Sequence, residues 1–162
     1  MTNQLYRIIF ICLVLLANAF CFADQTIIFS TWEGFEVDKC ASIWLIKRFV
    51  NNNVKIKFFP KGTKINVGIP FDTPNAKLRR YHSLCTFETV MNAYKLNDPK
   101  LKYISKIIHD IEINIWNKKR MKETNEVNSM VQSIITQTND NKMIIKNSIE
   151  YFDSLYQFIN SE

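Results

Sequence analysis

Apolar and β-branched residues fill Thr26 to Trp32 (TIIFSTW), and Val54 to Pro60 (VKIKFFP) alternates with period two, so both segments predict strands. Between them Asp38 reads as the N-cap of a helix that reaches about Phe49. Ile43, Trp44, Leu45, Ile46 and Phe49 spread around much of that helix, which predicts cover on more than one side. Lys61 to Asn75 holds two of the three glycines and two of the four prolines and reads as an irregular loop; Lys77 to His82 then predicts a third short strand. Beyond Cys85 the period becomes helical. Phe87, Val90, Met91 and Tyr94 mark a short helix, and Asp98-Pro99 is a cap with proline at the first helical position. The long helix that follows carries the stripe Leu101, Ile104, Ile108, Ile111 and Ile115, and two more helices are expected near Asn125 to Thr136 and Lys142 to Ile159. The expected fold is α+β: a small N-terminal sheet in β-α-β-β order, covered by a C-terminal bundle of about four helices.

A chain of 162 residues, 47% hydrophobic, is the size of one domain, and its scarcity of glycine and proline argues against a barrel or sandwich of many tight turns. The first 23 residues read as a signal peptide. Arg7 precedes the apolar run Ile8 to Leu16, and Cys21-Phe22-Ala23 is a small-x-small cleavage pattern, so the domain is taken as 24–162 and its location as periplasmic or secreted. A retained anchor is the rival reading; it needs about 18–20 apolar residues, and Asn18 interrupts the stretch early. A lipoprotein is not favoured either, since Asn18-Ala19-Phe20 before Cys21 lacks the usual aliphatic and small residues. After cleavage no stable membrane insertion is expected. The cut removes Arg7 alone among the charges, leaving 20 basic against 15 acidic residues. Lysine recurs along the chain together with isoleucine and asparagine rather than in a patch, so nucleic acid is not expected as a partner. Cys40 and Cys85 are the thiols that remain, and three readings stand open: a disulfide, Cys85 as a metal ligand, or small buried apolar residues.

Few residues offer metal chemistry. His109 and Glu112 are spaced i, i+3 and lie about 60° apart on the helix wheel, close to the isoleucine stripe, whereas Asp110 is carried to another face. Glu88 on the short helix and His82 at the preceding corner complete a candidate set of metal ligands. Imidazole with carboxylates suits divalent zinc, iron, manganese or nickel. The competing reading is that each is a hydrogen-bonded or solvated side chain. Lys39 at the start of the first helix, Arg48 further along it, and Arg79-Arg80 form a cationic set; Lys39 and Arg48 would face an anion, or simply extend their head groups to water. Nucleophile-elbow, phosphate-loop, Cys-x-x-Cys and zinc-finger patterns are all missing from the sequence.

Five ordered blocks carry a family likeness: Asp38-Lys39 with Trp44 to Val50, Gly68 to Pro74, His82-x-x-Cys85-Thr86-Phe87-Glu88, Leu96-Asn97-Asp98-Pro99-x-Leu101, and Ile107-Ile108-His109-Asp110. Together with Glu150 to Tyr156 they resemble the chromate-resistance protein family, over about Phe35 to Phe158. That domain forms the C-terminal part of the chromate-responsive regulator and occurs in exported chromate-resistance proteins. Here the turn between His82 and Cys85 is shorter, and Asn128-Ser129-Met130 replaces a small glycine-containing segment. The resemblance implies a role around chromate or metal stress, with a metal ion or an oxyanion as partner. An exported protein would not take over the regulator's DNA-binding role. Two other function classes are carried alongside: a metal-dependent hydrolase or reductase with Asp72 or Glu88 as general base, and a metal-free interaction module.

Overall fold

The computed structural model describes residues 26–114 and 116–159; the expected leader and Ile115 of the helical stripe lie outside the described residues. Strand β1 (Ile27–Trp32) leads into helix α1 (Val37–Leu45), which runs on as a π-helical turn, Ile46–Val50, closed by the Asn51 N–H donating to the Ile46 carbonyl at 3.0 Å. Strand β2 (Val54–Phe59) follows and pairs in parallel with the whole of β1, Ile27 opposite Val54 through Trp32 opposite Phe59.

The third strand is not where the sequence pattern places it. β3 is Ile69–Pro70, inside the expected loop, and pairs in parallel with Phe29 and Ser30, giving the order β2-β1-β3. A proline is tolerated there because β3 is an edge strand with one side free of ladder bonds, and the Phe71 N–H continues the pairing to the Ser30 carbonyl at 2.9 Å. Gly68 makes the approach possible. Its φ is +70°, and a Cβ would stand 2.4 Å from the Ile28 carbonyl oxygen. The segment Lys77 to His82 is instead taken up by isolated bridges, Phe71 with Leu78 and Tyr81 with Leu84, because only Leu78 among its residues has a core contact to make.

Four further helices complete the α+β fold: α2 (Thr86–Ala93), α3 (Pro99–Glu112), α4 (Thr124–Thr136) and α5 (Asn141–Phe158). They do not simply cover the sheet as a separate bundle; all four pack on α1, whose nine residues are all buried. Trp44 is the centre of this packing. Its ring lies 5.3 Å from Phe49, 5.6 Å from Phe152 and 5.9 Å from Tyr156, centroid to centroid, and its indole N–H donates to Asp153 at 2.8 Å. Arg48 holds the same carboxylate in a two-pronged pair, Nε to Oδ1 at 2.9 Å and Nη2 to Oδ2 at 2.6 Å, fixing α5 against the π-helical turn.

Asp98 caps α3 as expected, accepting from the Leu101 N–H at 3.0 Å. Asp38 is not a cap of α1. Glu36 occupies that position and Asp38 lies inside the first turn, where its carboxylate is turned to a different helix.

Gly68→Ala is expected to cost about 3 kcal/mol, through left-handed strain and the clash with β1, whereas Gly62→Ala, equally left-handed but facing open space, costs about 1 kcal/mol. Urea unfolding of the two variants checks this; equal losses would mean that the docking of β3 contributes nothing.

Candidate functional site

Two pockets flank the last turn of α3. The first, about 320 Å³, lies beyond the C-terminal ends of β1 and β3, where the chain order of the strands reverses, the place where open parallel sheets commonly receive ligands. Asp38 and Glu36 reach it from the start of α1, Asp72 and Arg80 from the segment after β3, and Glu112 from the end of α3. Asp38 accepts from the Thr86 N–H at 2.6 Å and the Phe87 N–H at 2.8 Å, so it satisfies the N-terminus of α2. Glu112 accepts from the Asp38 N–H at 3.3 Å and pairs with Arg80 at 3.2 Å. Asp72 sits at φ +52°; its Oδ1 accepts from the Thr86 hydroxyl at 2.8 Å, and its Oδ2 is 3.5 Å from the Lys39 ammonium. Lys39 is itself buried and donates to the Trp32 and Gly34 carbonyls at 2.9 and 2.6 Å.

Burial raises Asp38 and Asp72 to about 6, against the hydrogen bonds to Asp38 and the Lys39 charge beside Asp72. Burial and the Glu36 carboxylate also raise Glu112, with Arg80 opposing. Asp38, Lys39, Asp72, Arg80 and Glu112 thus form an ionic knot that ties three elements together, in which Asp72 Oδ2 faces the Lys39 ammonium without a hydrogen bond of its own.

The second pocket, about 530 Å³, lies between α2, α3 and the loop after α3. Here Glu88 and His109 meet: Nδ1 of the imidazole is 3.0 and 3.2 Å from the two carboxylate oxygens. Glu88 also accepts from the Cys85 N–H at 2.8 Å, closing a capping box at the start of α2. The carboxylate thus fixes Nδ1 as the protonated ring nitrogen and leaves Nε2 as the free one. Lys106 and Arg120 line the same pocket, and among the described residues neither has an acidic partner.

Asp110 holds the wall of this pocket in place. It accepts from the Asn114 amide at 2.6 Å, the Thr124 hydroxyl at 2.6 Å and the N–H groups of Arg120 and Met121 at 2.7 and 3.1 Å. Burial disfavours its charge, but these bonds outweigh that and bring it down to about 2. Lys119 adds two bonds, to the carbonyls of Asp110 and Asn114.

Of the four residues expected to gather around a metal, the structure brings two together. His109 and Glu88 meet, while Glu112 turns into the other pocket and His82 is exposed on the two-residue turn between Tyr81 and Leu84. Wheel angles place Glu112 near His109 along α3, but Arg80 and the backbone of α1 draw its carboxylate aside. Among the described residues, no three His, Cys, Asp or Glu side chains are arranged to hold a metal ion. Lys39 and Arg48 do not converge on an anion: the first is engaged by carbonyls and Asp72, the second by Asp153. Cys40 and Cys85 are both buried free thiols rather than a disulfide; burial raises Cys40 to about 11 and pushes Cys85 higher still. Lys106 and Arg120 escaped sequence reasoning because nothing local distinguishes them from the many solvated basic residues. Only the fold of the loop places them beside His109.

A small parallel sheet whose first helix is buried among four others, with a carboxylate–imidazole pair lining a pocket between α2 and α3, defines an α+β domain. The family described as ChrB, C-terminal domain, matches residues 29–159, and the chain belongs to that chromate-resistance family. No curated protein and no solved structure matches it.

The raised carboxylates bind protons more readily in the folded than in the unfolded chain, so their stabilising effect is complete below about pH 4 and is lost as pH rises through about 6. Asp110 acts in the opposite sense and only between about 4 and 2. Unfolding midpoints measured from pH 4 to 7 are expected to fall, and Asp72→Asn to flatten the fall; an unchanged slope would remove Asp72 from the account.

Proposed function

We propose that this chain is an oxyanion-responsive binding protein of chromate or metal stress, working outside the cytoplasm, with the Glu88–His109 pocket as its ligand site. The observation that carries the reading is the pair of cations lining this pocket, Lys106 and Arg120, which have no ion-pair partner among the described residues, whereas Glu88 is held by His109 at 3.0 Å and Asp110 by its loop. A tetrahedral dianion is bound by an ammonium and a guanidinium through charge-assisted hydrogen bonds. The ionic knot is the weaker candidate, because four acids line it and two of its cations, Lys39 and Arg80, are already paired with them.

Calorimetric titration with chromate, and with sulfate as a redox-inert analogue, tests this. Lys106→Gln and Arg120→Gln are each expected to weaken binding about tenfold or more, as loss of a charge-assisted bond does, with melting temperature retained. Chromate that binds equally well to both variants would overturn the assignment.

The Glu88–His109 pair also favours a second reading, a divalent transition metal on the free Nε2, with Glu88 orienting the ring. Zinc, iron, manganese and nickel all suit that donor. Elemental analysis of gently purified protein decides it: metal retained by the parent chain and lost in His109→Ala supports the reading, and metal-free protein whose melting temperature ignores added metal removes it.

The extracytoplasmic location rests on the apolar run Ile8 to Leu16 and the pattern ending at Ala23, which lie outside the described residues. Among the described residues no helix is long and apolar enough to cross a membrane. Protein recovered from an expressing cell's periplasm or medium is expected to begin at Asp24. An intact Met1 in a membrane fraction would favour the anchor instead.

A further inference from the structure

The parallel sheet joins the hydrophobic core through one face only. Phe29, Val54, Ile56 and Phe58 belong to that core or pack on it, whereas Ile28, Trp32 and Phe59 do not. Parallel sheets are ordinarily buried on both faces, because crossover connections place a helix on each. Here Ile28 stands opposite Lys55, Ser30 opposite Lys57 and Trp32 opposite Phe59, so these six side chains share the second face. What crosses it is the connection 60–68, which returns the chain from the end of β2 past β1 to the start of β3. The Trp32 indole N–H donates to the Thr63 carbonyl at 2.8 Å and Gly68 lies against Ile28, which fixes the connection on this side. The cover is thin. Ile28, Trp32, Phe59 and Ile65 stay half-buried, Val67 is exposed, and only Ser30 on the strands of this face is fully enclosed.

The charge here has one sign. Lys55 and Lys57 on β2 and Lys61 and Lys64 on the connection are all exposed, and among the described residues none has an ion-pair partner. Residues 54–70 contain no Asp or Glu at all. A second copy of the chain would bring lysines against lysines. The strands themselves span roughly 20 Å by 10 Å, well short of the roughly 800 Å² that each partner of a stable protein complex buries. A flat anionic surface needs neither matched shape nor a large area, and half-buried apolar side chains flanked by lysines suit the headgroup region of a bilayer.

We infer that the second face of the sheet is a docking surface for a bilayer rich in anionic lipid, with Lys55, Lys57, Lys61 and Lys64 set against the headgroups and Val67 meeting the interface. The inference is independent of the oxyanion reading, whose cations belong to α3 and the loop after it.

The test measures partitioning onto lipid vesicles, using the chain as recovered from expressing cells so that its N-terminus is common to every variant. Binding to vesicles of equimolar phosphatidylglycerol and phosphatidylcholine is expected to exceed binding to phosphatidylcholine alone by at least about a hundredfold, since each lysine at an anionic surface contributes about fivefold. It is expected to fall away as salt rises from about 0.05 M to about 0.5 M. The double variant Lys55→Gln, Lys57→Gln is expected to bind the anionic vesicles about thirtyfold more weakly. The control Lys142→Gln, Lys146→Gln removes the same charge from α5, where Lys142 shares a pocket with Ile56 and Phe58 of the core-facing side, and is expected to stay within about twofold of the parent. All four lysines are exposed, so an unaltered melting temperature verifies the fold of each variant. Equal binding to the two kinds of vesicle, or equal weakening by the two double variants, would overturn the inference. Polyglutamate bound as tightly as the anionic vesicles, and through Lys55 and Lys57, would assign the face to an acidic protein and overturn the bilayer.

Discussion

A helix buried on every side cannot hand its charged groups to water, and that constraint organises this domain. Asp38 and Lys39 lie in the first turn of α1 and are 2% and 4% exposed. Leaving either unpaired there would cost several kcal/mol. Each therefore binds a neighbouring element: Asp38 the N-terminus of α2, Lys39 the carbonyls where β1 ends. The hydrophobic effect drives α1 into the centre, but these polar bonds decide which ends of which elements surround it. Trp44 and Asp153 do the same at the other end of the helix, where an indole N–H and a guanidinium share one carboxylate.

The last turn of α3 distributes its polar residues to three separate neighbours. His109 goes to Glu88, Asp110 to its own following loop, and Glu112 to Arg80 and the start of α1. Side chains close in sequence are thereby committed to different tasks, and the family motif around His109 and Asp110 acquires a physical reading. One residue faces the pocket between α2 and α3, and the next builds the wall of that pocket. Glu88 links this region to α2, because the same carboxylate caps the helix and orients the imidazole.

The strands β1 and β2 and the helices were legible from alternation, apolar stripes and the Asp98-Pro99 start, since these signals are local. β3 was not, because a two-residue strand ending in proline has no periodicity and is selected by the free edge of β1. Asp38 looked like a cap because capping residues and buried acids share one chemistry; which N–H groups they meet is a matter of tertiary packing. The meeting of Glu88 with His109 was anticipated within a larger set, but the diversion of Glu112 depends on Arg80, 32 positions away in sequence. The cationic wall of the pocket had no sequence signal at all.

Cys40 and Cys85 are sealed within the interior, Cys40 in α1 and Cys85 at the head of α2, each 1% exposed or less. Neither is joined to the other, and both resist ionisation, so neither oxidants nor alkylating reagents have a reactive thiolate to attack. Among the described residues, cohesion comes from packing and salt links rather than from a bond between these two sulfurs. The two thiols thus serve as small apolar packing units, and the grip of α1 on α2 does not depend on their oxidation state.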